Sequence, residues 1–395
     1  MTSLPTANSP PISQVSWQED GMLRSANWRS ESGAPAPKRI VLADDATRAD
    51  VAWRLACEGT ALLWQGDFQN ARLLLQAIAR RCDRKPRKQG STPLEDFNLH
   101  RQAQAHRARI LAMLLVHIEA GHELTLKRAP DIAKACEEAY GATTEPYLCS
   151  LRELQGVIGA HEWRKKGVFI RSIDSPIFPH YGVFSPIRGE YLELIAATPL
   201  PENTEKAFDI GTGTGVIAAL LARRGIPNII ATDLDERALA CATENIRRLG
   251  LEKTVCVERA DLFPEGTADL IVCNPPWIPA RPSSPIEYAV YDPDSRMLLS
   301  FLNRLADHLN PRGEGWLILS DLAVHLGLRD RHAVTAAIEA AGLIVLDRSE
   351  AKPTHAKASD PDASLHQARL KERTSLWRLG VPGGSRHTRR QPTTA

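Results

Sequence analysis

The hydrophobic pattern changes texture once along the chain. Over residues 47–81 apolar side chains recur at helical spacing (Val51, Leu55, Leu62, Leu63, Leu74, Leu75, Ile78), and Gly66-Asp67 interrupts them as a C-cap followed by an N-cap would. That spacing predicts a helical hairpin. A further helix is predicted over residues 98–120, with Ile110, Leu111, Leu114, Leu115 and Ile118 as its buried stripe, and another around 148–159. At Val168-Phe169-Ile170-Arg171-Ser172-Ile173 the pattern becomes alternating, as in a strand. Beyond it, strands predicted at 206–210, 228–232, 254–258, 268–273, 315–320, 343–347 and 374–379 alternate with helices at 216–224, 236–249, 297–309 and 332–341. Short apolar strands alternating with helices demand an α/β, doubly wound, mostly parallel sheet covered on both faces.

Four segments follow from this reading. Residues 1–37, with Pro5, Pro10, Pro11, Pro35 and Pro37 and little periodicity, are expected to form a flexible leader. Residues 38–165 are expected to be a helical N-terminal domain, residues 166–380 the α/β domain, and residues 381–395, rich in Gly, Arg and Thr, a flexible tail. A length of 395 residues suits two domains better than one.

Composition narrows the class. With 43% apolar and 24% charged residues the chain can bury a core. A net charge of +2 argues against nucleic-acid binding through one broad basic surface, although Arg80, Arg81, Arg84, Lys85, Arg87 and Lys88 stand against the single acid Asp83 in a local basic connector. The 7 cysteines are scattered without a C-x-x-C pair, which fits free thiols in a reducing, cytoplasmic compartment. The first residues lack the basic start and apolar core of a signal peptide, and no apolar run reaches the ~18 residues of a membrane span. His100, His106, His117 and His122 are not spaced as a metal pair on one helix face, so no metal site is expected.

The candidate chemistry lies at the predicted strand ends. Ala207-Phe208-Asp209-Ile210 runs into Gly211-Thr212-Gly213-Thr214-Gly215 and then a helix; glycines there permit a tight turn and close approach of a ligand to the carboxyl edge of the sheet. The spacing G-x-G-x-G differs from the G-x-G-x-x-G of a dinucleotide site. Asp233 ends the second strand, where a carboxylate can accept from both hydroxyls of a ribose, while Asp235 is the less favoured partner for them and would otherwise cap the next helix. Asp261 and Leu262 follow the third strand, and the fourth delivers Asn274-Pro275-Pro276-Trp277.

Together these residues resemble the class I S-adenosylmethionine-dependent methyltransferases, in the Asn-Pro-Pro-aromatic branch that methylates glutamine amides in proteins and exocyclic amines of adenine or guanine. The resemblance covers about residues 180–350. It implies a seven-stranded sheet with an antiparallel last strand and S-adenosylmethionine as cofactor, held by Asp209, Gly211, Thr212, Gly213, Gly215, Asp233, Asp261, Leu262 and Asn274. It also implies a catalytic segment Asn274, Pro275, Pro276 and Trp277. The Asn274 side-chain oxygen and the Pro275 carbonyl would then hold the hydrogens of the target nitrogen, with Trp277 offering a stacking face. Upstream, the segment from His180 to Tyr191 partly resembles the Pro-Arg segment of release-factor glutamine methyltransferases, placing Phe184 and Arg188 at the cofactor or else merely at the start of a helix. Tyr291-Asp292-Pro293-Asp294 would cover the substrate or cap the next helix, and residues 351–367 would form a substrate lid. Because the family's release-factor enzymes present their substrate on a helical domain, the leading expectation is a macromolecular partner, a protein glutamine, favoured over RNA. An amine of adenine or guanine in RNA or DNA is the alternative, and a scaffold that binds cofactor without catalysis is a third reading.

Overall fold

In the computed structural model of the protein, residues 13–84, 88, 90–282, 285–353 and 365–384 are described. The chain divides into two compact units, the first taking in residues up to Gln89 with Asn98–Glu162, the second Gly90–Phe97, Trp163–Pro282 and the chain from Ile286 onward.

The first unit corrects the expectation of a helical domain, because it is built on a 6-stranded sheet. Its elements are β1 (Gln14–Glu19), β2 (Met22–Trp28), β3 (Arg39–Ala43), α1 (Ala49–Cys57), β4 (Thr60–Trp64), α2 (Phe68–Cys82), α3 (Pro93–Leu111), β5 (Leu114–Ile118), α4 (Ala133–Tyr140), β6 (Tyr147–Ser150) and α5 (Leu151–Lys166), and the sheet order is β1-β2-β6-β5-β4-β3. The misread segments are Leu62-Leu63 and Leu114-Leu115. They pair in parallel across the sheet, Leu62 with Leu114 and Leu63 with Leu115. Every residue of β4 is buried. A strand covered on both faces shows no alternation, so a short apolar run carries no period that distinguishes it from one turn of a helix. The Gly66-Asp67 break was legible: the Asp67 carboxylate accepts from the Gln69 N–H at 2.8 Å and caps α2.

The leader is corrected too. Residues 14–28 form an antiparallel hairpin turning at Asp20-Gly21, both at positive φ, and it buries Val15, Trp17 and Ala26. Pro5, Pro10 and Pro11 lie outside the described residues, as do 85–87 of the basic connector, 354–364 of the expected lid, and 385–395 of the tail.

In the second unit a short antiparallel pair, β7 (Val168–Ile170) and β8 (Ser175–Ile177), precedes the main sheet. There follow α6 (Glu190–Ala197), β9 (Lys206–Ile210), α7 (Val216–Arg223), β10 (Asn228–Asp233), α8 (Glu236–Arg248), β11 (Val255–Arg259), β12 (Ala268–Cys273), α9 (Arg296–His308), β13 (Leu309–Ser320), α10 (Leu322–His325), α11 (Ala333–Ala340), β14 (Ile344–Ala351), α12 (His366–Lys371) and β15 (Thr374–Gly380). The 7-stranded sheet has the order β11-β10-β9-β12-β13-β15-β14, and only β15 runs against its neighbours. The fold is therefore α/β and doubly wound with an antiparallel last strand in sequence, as expected.

Strand alternation sends side chains to two cores. On one face Leu192, Ile195, Leu220 and Leu221 of α6 and α7 share a cluster with Ala207, Leu270, Val272, Trp316 and Ile318. On the other, Phe301, Leu302 and Leu305 of α9 join Phe208, Ile210, Ile271 and Leu317. After β9 the chain winds outward through β10 and β11, then returns to place β12 on β9's other side. Ligands of open α/β sheets bind at such a switch point, beyond the carboxyl ends of the central strands. The glycine loop follows β9 and the Asn-Pro-Pro-Trp segment follows β12.

Candidate active site

The loop after β9 is shaped by its glycines. Gly211, Gly213 and Gly215 have φ of 71°, 56° and 80°, a region costly to residues that carry a Cβ. A Cβ on Gly211 would stand 2.7 Å from the Met297 methyl, and one on Gly215 3.3 Å from Ala242. The backbone N–H groups of Gly211 and Thr212 both donate to the Thr232 carbonyl, at 2.9 and 2.8 Å, tying this loop to the end of β10. Asp233 completes the tie, one carboxylate oxygen accepting from Gly213 N at 3.0 Å and the other from Asp235 N at 3.1 Å. Burial pushes the Asp233 carboxyl upward against those two bonds. Asp235 accepts from Arg237 N and Ala238 N at the start of α8, the capping role expected of it.

Asp209 is fully buried. Its Oδ2 accepts from the Thr212 hydroxyl at 2.6 Å and from Ala218 N at 3.0 Å, while Oδ1 is buried with no hydrogen-bond partner. Burial pushes its carboxyl up to about 7; the Thr212 and Ala218 bonds pull the other way and the Asp233 charge adds to the rise. An orphaned buried oxygen, at the base of a loop whose three glycines carry no side chain, suits a ligand bearing polar hydrogens above a close-approach surface.

The third strand end is drawn to the same place. The Thr232 hydroxyl donates to the Leu262 carbonyl at 2.6 Å, and Leu262 itself is held at φ 68°, a conformation uncommon for a residue with a side chain. Asp261 beside it is exposed, and its carbonyl accepts from Arg304 at 3.0 Å.

At the end of β12, Asn274 and Trp277 are half-buried and Pro275 is buried. The Trp277 indole N–H donates to the Asn274 side-chain oxygen at 2.9 Å. One face of the indole is not free for a planar substrate: the Arg188 guanidinium lies over it, 4.9 Å from the ring centroid. Arg188 in turn is bound by Glu190 and Glu372. Phe184 is 38% exposed. Asp292 caps α9, its two oxygens accepting from Met297 N at 3.0 Å and Leu298 N at 3.2 Å, so the Tyr291–Asp294 stretch includes a helix cap.

Residues 175–322 match the family model described as methyltransferase small domain. Within the second unit, these residues are similar to the small methyltransferase domain. Methyltransferases of this kind use S-adenosylmethionine, and the glycine loop, the orphaned Asp209 oxygen and Asp233 at the end of β10 suit that cofactor. The curated relatives include a release factor glutamine methyltransferase of Cereibacter sphaeroides, 36% identical over 159 residues, which are 36% of this chain and 54% of that protein. A tRNA1(Val) (adenine(37)-N6)-methyltransferase of Pedobacter heparinus is 35% identical over 133 residues, 32% of this chain and 56% of that protein. A ribosomal protein L11 methyltransferase of Rhizobium johnstonii is 32% identical over 160 residues, 36% of this chain and 48% of that protein. The chain thus spans about half the length of the curated relatives it matches. Among solved structures, a methyltransferase from Pyrococcus furiosus aligns with 58% of this chain and 98% of its own at 19% identity and a TM-score of 0.35. The sheet order, not that likeness, carries the fold assignment for the methyltransferase domain.

Sequence reasoning passed over Glu190, Met297, Thr232 and Glu372. Glu190 had a local signal, two residues after Arg188. Glu372 had none, because its contact with Arg188 closes 184 residues of chain.

Proposed function

We propose that the chain transfers a methyl group from S-adenosylmethionine to a planar, delocalised nitrogen, with the side-chain amide of a glutamine in a protein as the first candidate. The observation that carries this reading is the Asn274 carboxamide oxygen, held at the carboxyl end of β12 beside the glycine loop that follows β9. The cofactor, when bound, supplies an electrophilic methyl on sulfonium. Asp209, the loop from Gly211 to Gly215, Asp233, Asp261 and Leu262 would hold it.

An amide or aryl amine nitrogen shares its lone pair with a π system and attacks poorly. Acceptors on its two hydrogens favour the pyramidal nitrogen of the transition state, so binding them there lowers the barrier. The Asn274 oxygen and the Pro275 carbonyl are that pair. Pro275 and Pro276 restrict the backbone that aims them. As the nitrogen bonds to carbon it becomes cationic, and its proton then passes to solvent, so the reaction asks for no strong base.

Support for the glutamine reading is the release-factor relative; the α/β first unit lends it none, since the analogy had rested on a helical domain. The second reading, an exocyclic amine of adenine or guanine in RNA, is favoured by the tRNA-adenine relative and uses the same acceptors. A cytoplasmic location fits the free cysteines. No helix among the described residues is long and apolar enough to cross a membrane.

The test is transfer of radiolabelled methyl from S-adenosylmethionine into a lysate, divided between nuclease and protease digestion, with Asn274→Ala as control. Label that survives nuclease and is lost with protease supports a protein substrate; the reverse supports nucleic acid. Label equal in wild type and Asn274→Ala removes the proposal, and cofactor binding without any transfer leaves the scaffold reading.

A further inference from the structure

An asparagine carboxamide has ends of nearly equal size, and only one of them suits the proposed reaction. If the NH2 end faced the target, it would oppose the donors of another NH2. Shape alone cannot choose between the ends; a donor-only partner can. The Trp277 indole N–H is such a donor, and at 2.9 Å it fixes the oxygen end of Asn274 in place. That oxygen keeps a second acceptor site for the substrate.

The indole must itself be held, since a ring rotated about its own bonds would carry the N–H away. Arg188 lies over its face at 4.9 Å. The guanidinium is gripped from two directions. Glu190, at the first position of α6, accepts from its Nε at 2.7 Å, and Glu372, just before β15, accepts from Nη2 at 3.0 Å. Glu372 is 0% exposed and is fixed in turn by the Ser320 hydroxyl at 2.7 Å, at the end of β13. Both glutamates keep one buried oxygen without a partner.

Two buried carboxylates on one guanidinium are a poor device for stability. Desolvating them costs more than a packed apolar core would, and the orphaned oxygens add to that cost. The arrangement is better explained by orientation: a planar guanidinium, pulled at two edges, can lie only one way on the indole.

We infer that Glu372 is a positioning residue for methyl transfer, acting through Arg188 and the Trp277 indole to present the oxygen of Asn274 to the target nitrogen. The inference rests on the proposed function, and its test separates the two. Glu372→Gln keeps the shape of the side chain and its hydrogen bonding to Ser320 but removes the charge that pulls on Arg188. In steady-state transfer assays it should lower kcat on the order of 10-fold while leaving KM for S-adenosylmethionine unchanged, because small misplacements of a reacting group are costly. Trp277→Phe should produce a similar loss. In the double variant, kcat should equal that of Trp277→Phe alone, since Glu372 has nothing left to act through. Losses that multiply, or a change confined to KM, would overturn the inference.

The readout free of any substrate is the indole 15N–1H resonance of Trp277 in tryptophan-labelled full-length protein, assigned by its disappearance in Trp277→Phe. It should shift and lose protection from solvent exchange in Glu372→Gln, as in Asn274→Ala. An unmoved resonance in Glu372→Gln overturns the positioning role whatever the activity. A moved resonance in a protein that transfers no methyl sustains the chain of contacts and overturns the functional reading instead.

Discussion

Replacing Asp209 by asparagine should make the protein more stable above neutral pH while weakening its hold on cofactor. Asp209 is fully buried, and burial raises its carboxyl from 3.8 to about 7. Below pH 4 both folded and unfolded states carry the proton and the group contributes nothing to pH dependence. Between pH 4 and 7 the unfolded chain loses the proton and the folded protein keeps it, so stability falls as pH rises, and above pH 7 the loss is complete. A rise of that size corresponds to about 4 kcal/mol at most, as an order of magnitude. The Asp209→Asn variant keeps an oxygen for Thr212 and Ala218 and never ionises. Urea unfolding of both proteins at pH 5 and pH 8 gives the comparison. The stability difference, variant minus wild type, should grow by roughly 2–4 kcal/mol from pH 5 to pH 8. A difference that stays flat, or that shrinks with pH, would refute the reasoning. Titration with S-adenosylhomocysteine at pH 8, where the Asp209 carboxyl is ionised, should show weaker binding in the variant, because an amide N–H replaces the acceptor at Oδ1.

Two further outcomes follow from the packing around the site. Phe301→Ala removes a fully buried ring stacked on Phe263 at 5.6 Å and should cost about 3–5 kcal/mol of stability in denaturant unfolding. Asp292→Ala strips the first turn of α9 of both its cap bonds and should cost about 1–2 kcal/mol. Since Met297 of that turn lies against Gly211, the same variant should also weaken S-adenosylhomocysteine binding, and an unchanged affinity in calorimetry would uncouple the cap from the cofactor loop.

What the chain revealed before folding depended on whether the signal was local. The fold of the second unit was legible because three of its central strands end in distinctive sequence: glycines after β9, Asp233 at the end of β10, the Asn-Pro-Pro-Trp segment after β12. Helices α8 and α9 there have one polar face, and short apolar strands separate most of the helices. The first unit was misread for a physical reason. Leu62-Leu63 and Leu114-Leu115 are buried on both faces of a sheet, so they lack the alternation that marks a half-exposed strand, and their helical neighbours lent them a false period. The hairpin over residues 14–28 was hidden by the prolines around it, although Asp20-Gly21 between two short runs is a turn signal. Trp277 was read from sequence as a stacking face, whereas its hydrogen bond to the Asn274 oxygen was not anticipated. Arg188 was read either as a cofactor contact or as the start of a helix, whereas its seat on the indole and its ion pair with Glu372, distant in sequence, are announced by no local pattern.

The most direct test of the account is the chemical identity of the methylated atom. Products of the labelling reaction, hydrolysed to amino acids or nucleosides and separated by mass spectrometry, should carry the methyl on a glutamine amide nitrogen or an exocyclic base amine. That product should be absent from the Asn274→Ala reaction. Methyl found on carbon, on oxygen or on a lysine amine, or formed equally well without the Asn274 carboxamide, would contradict the claim that this site holds a planar nitrogen by its hydrogens.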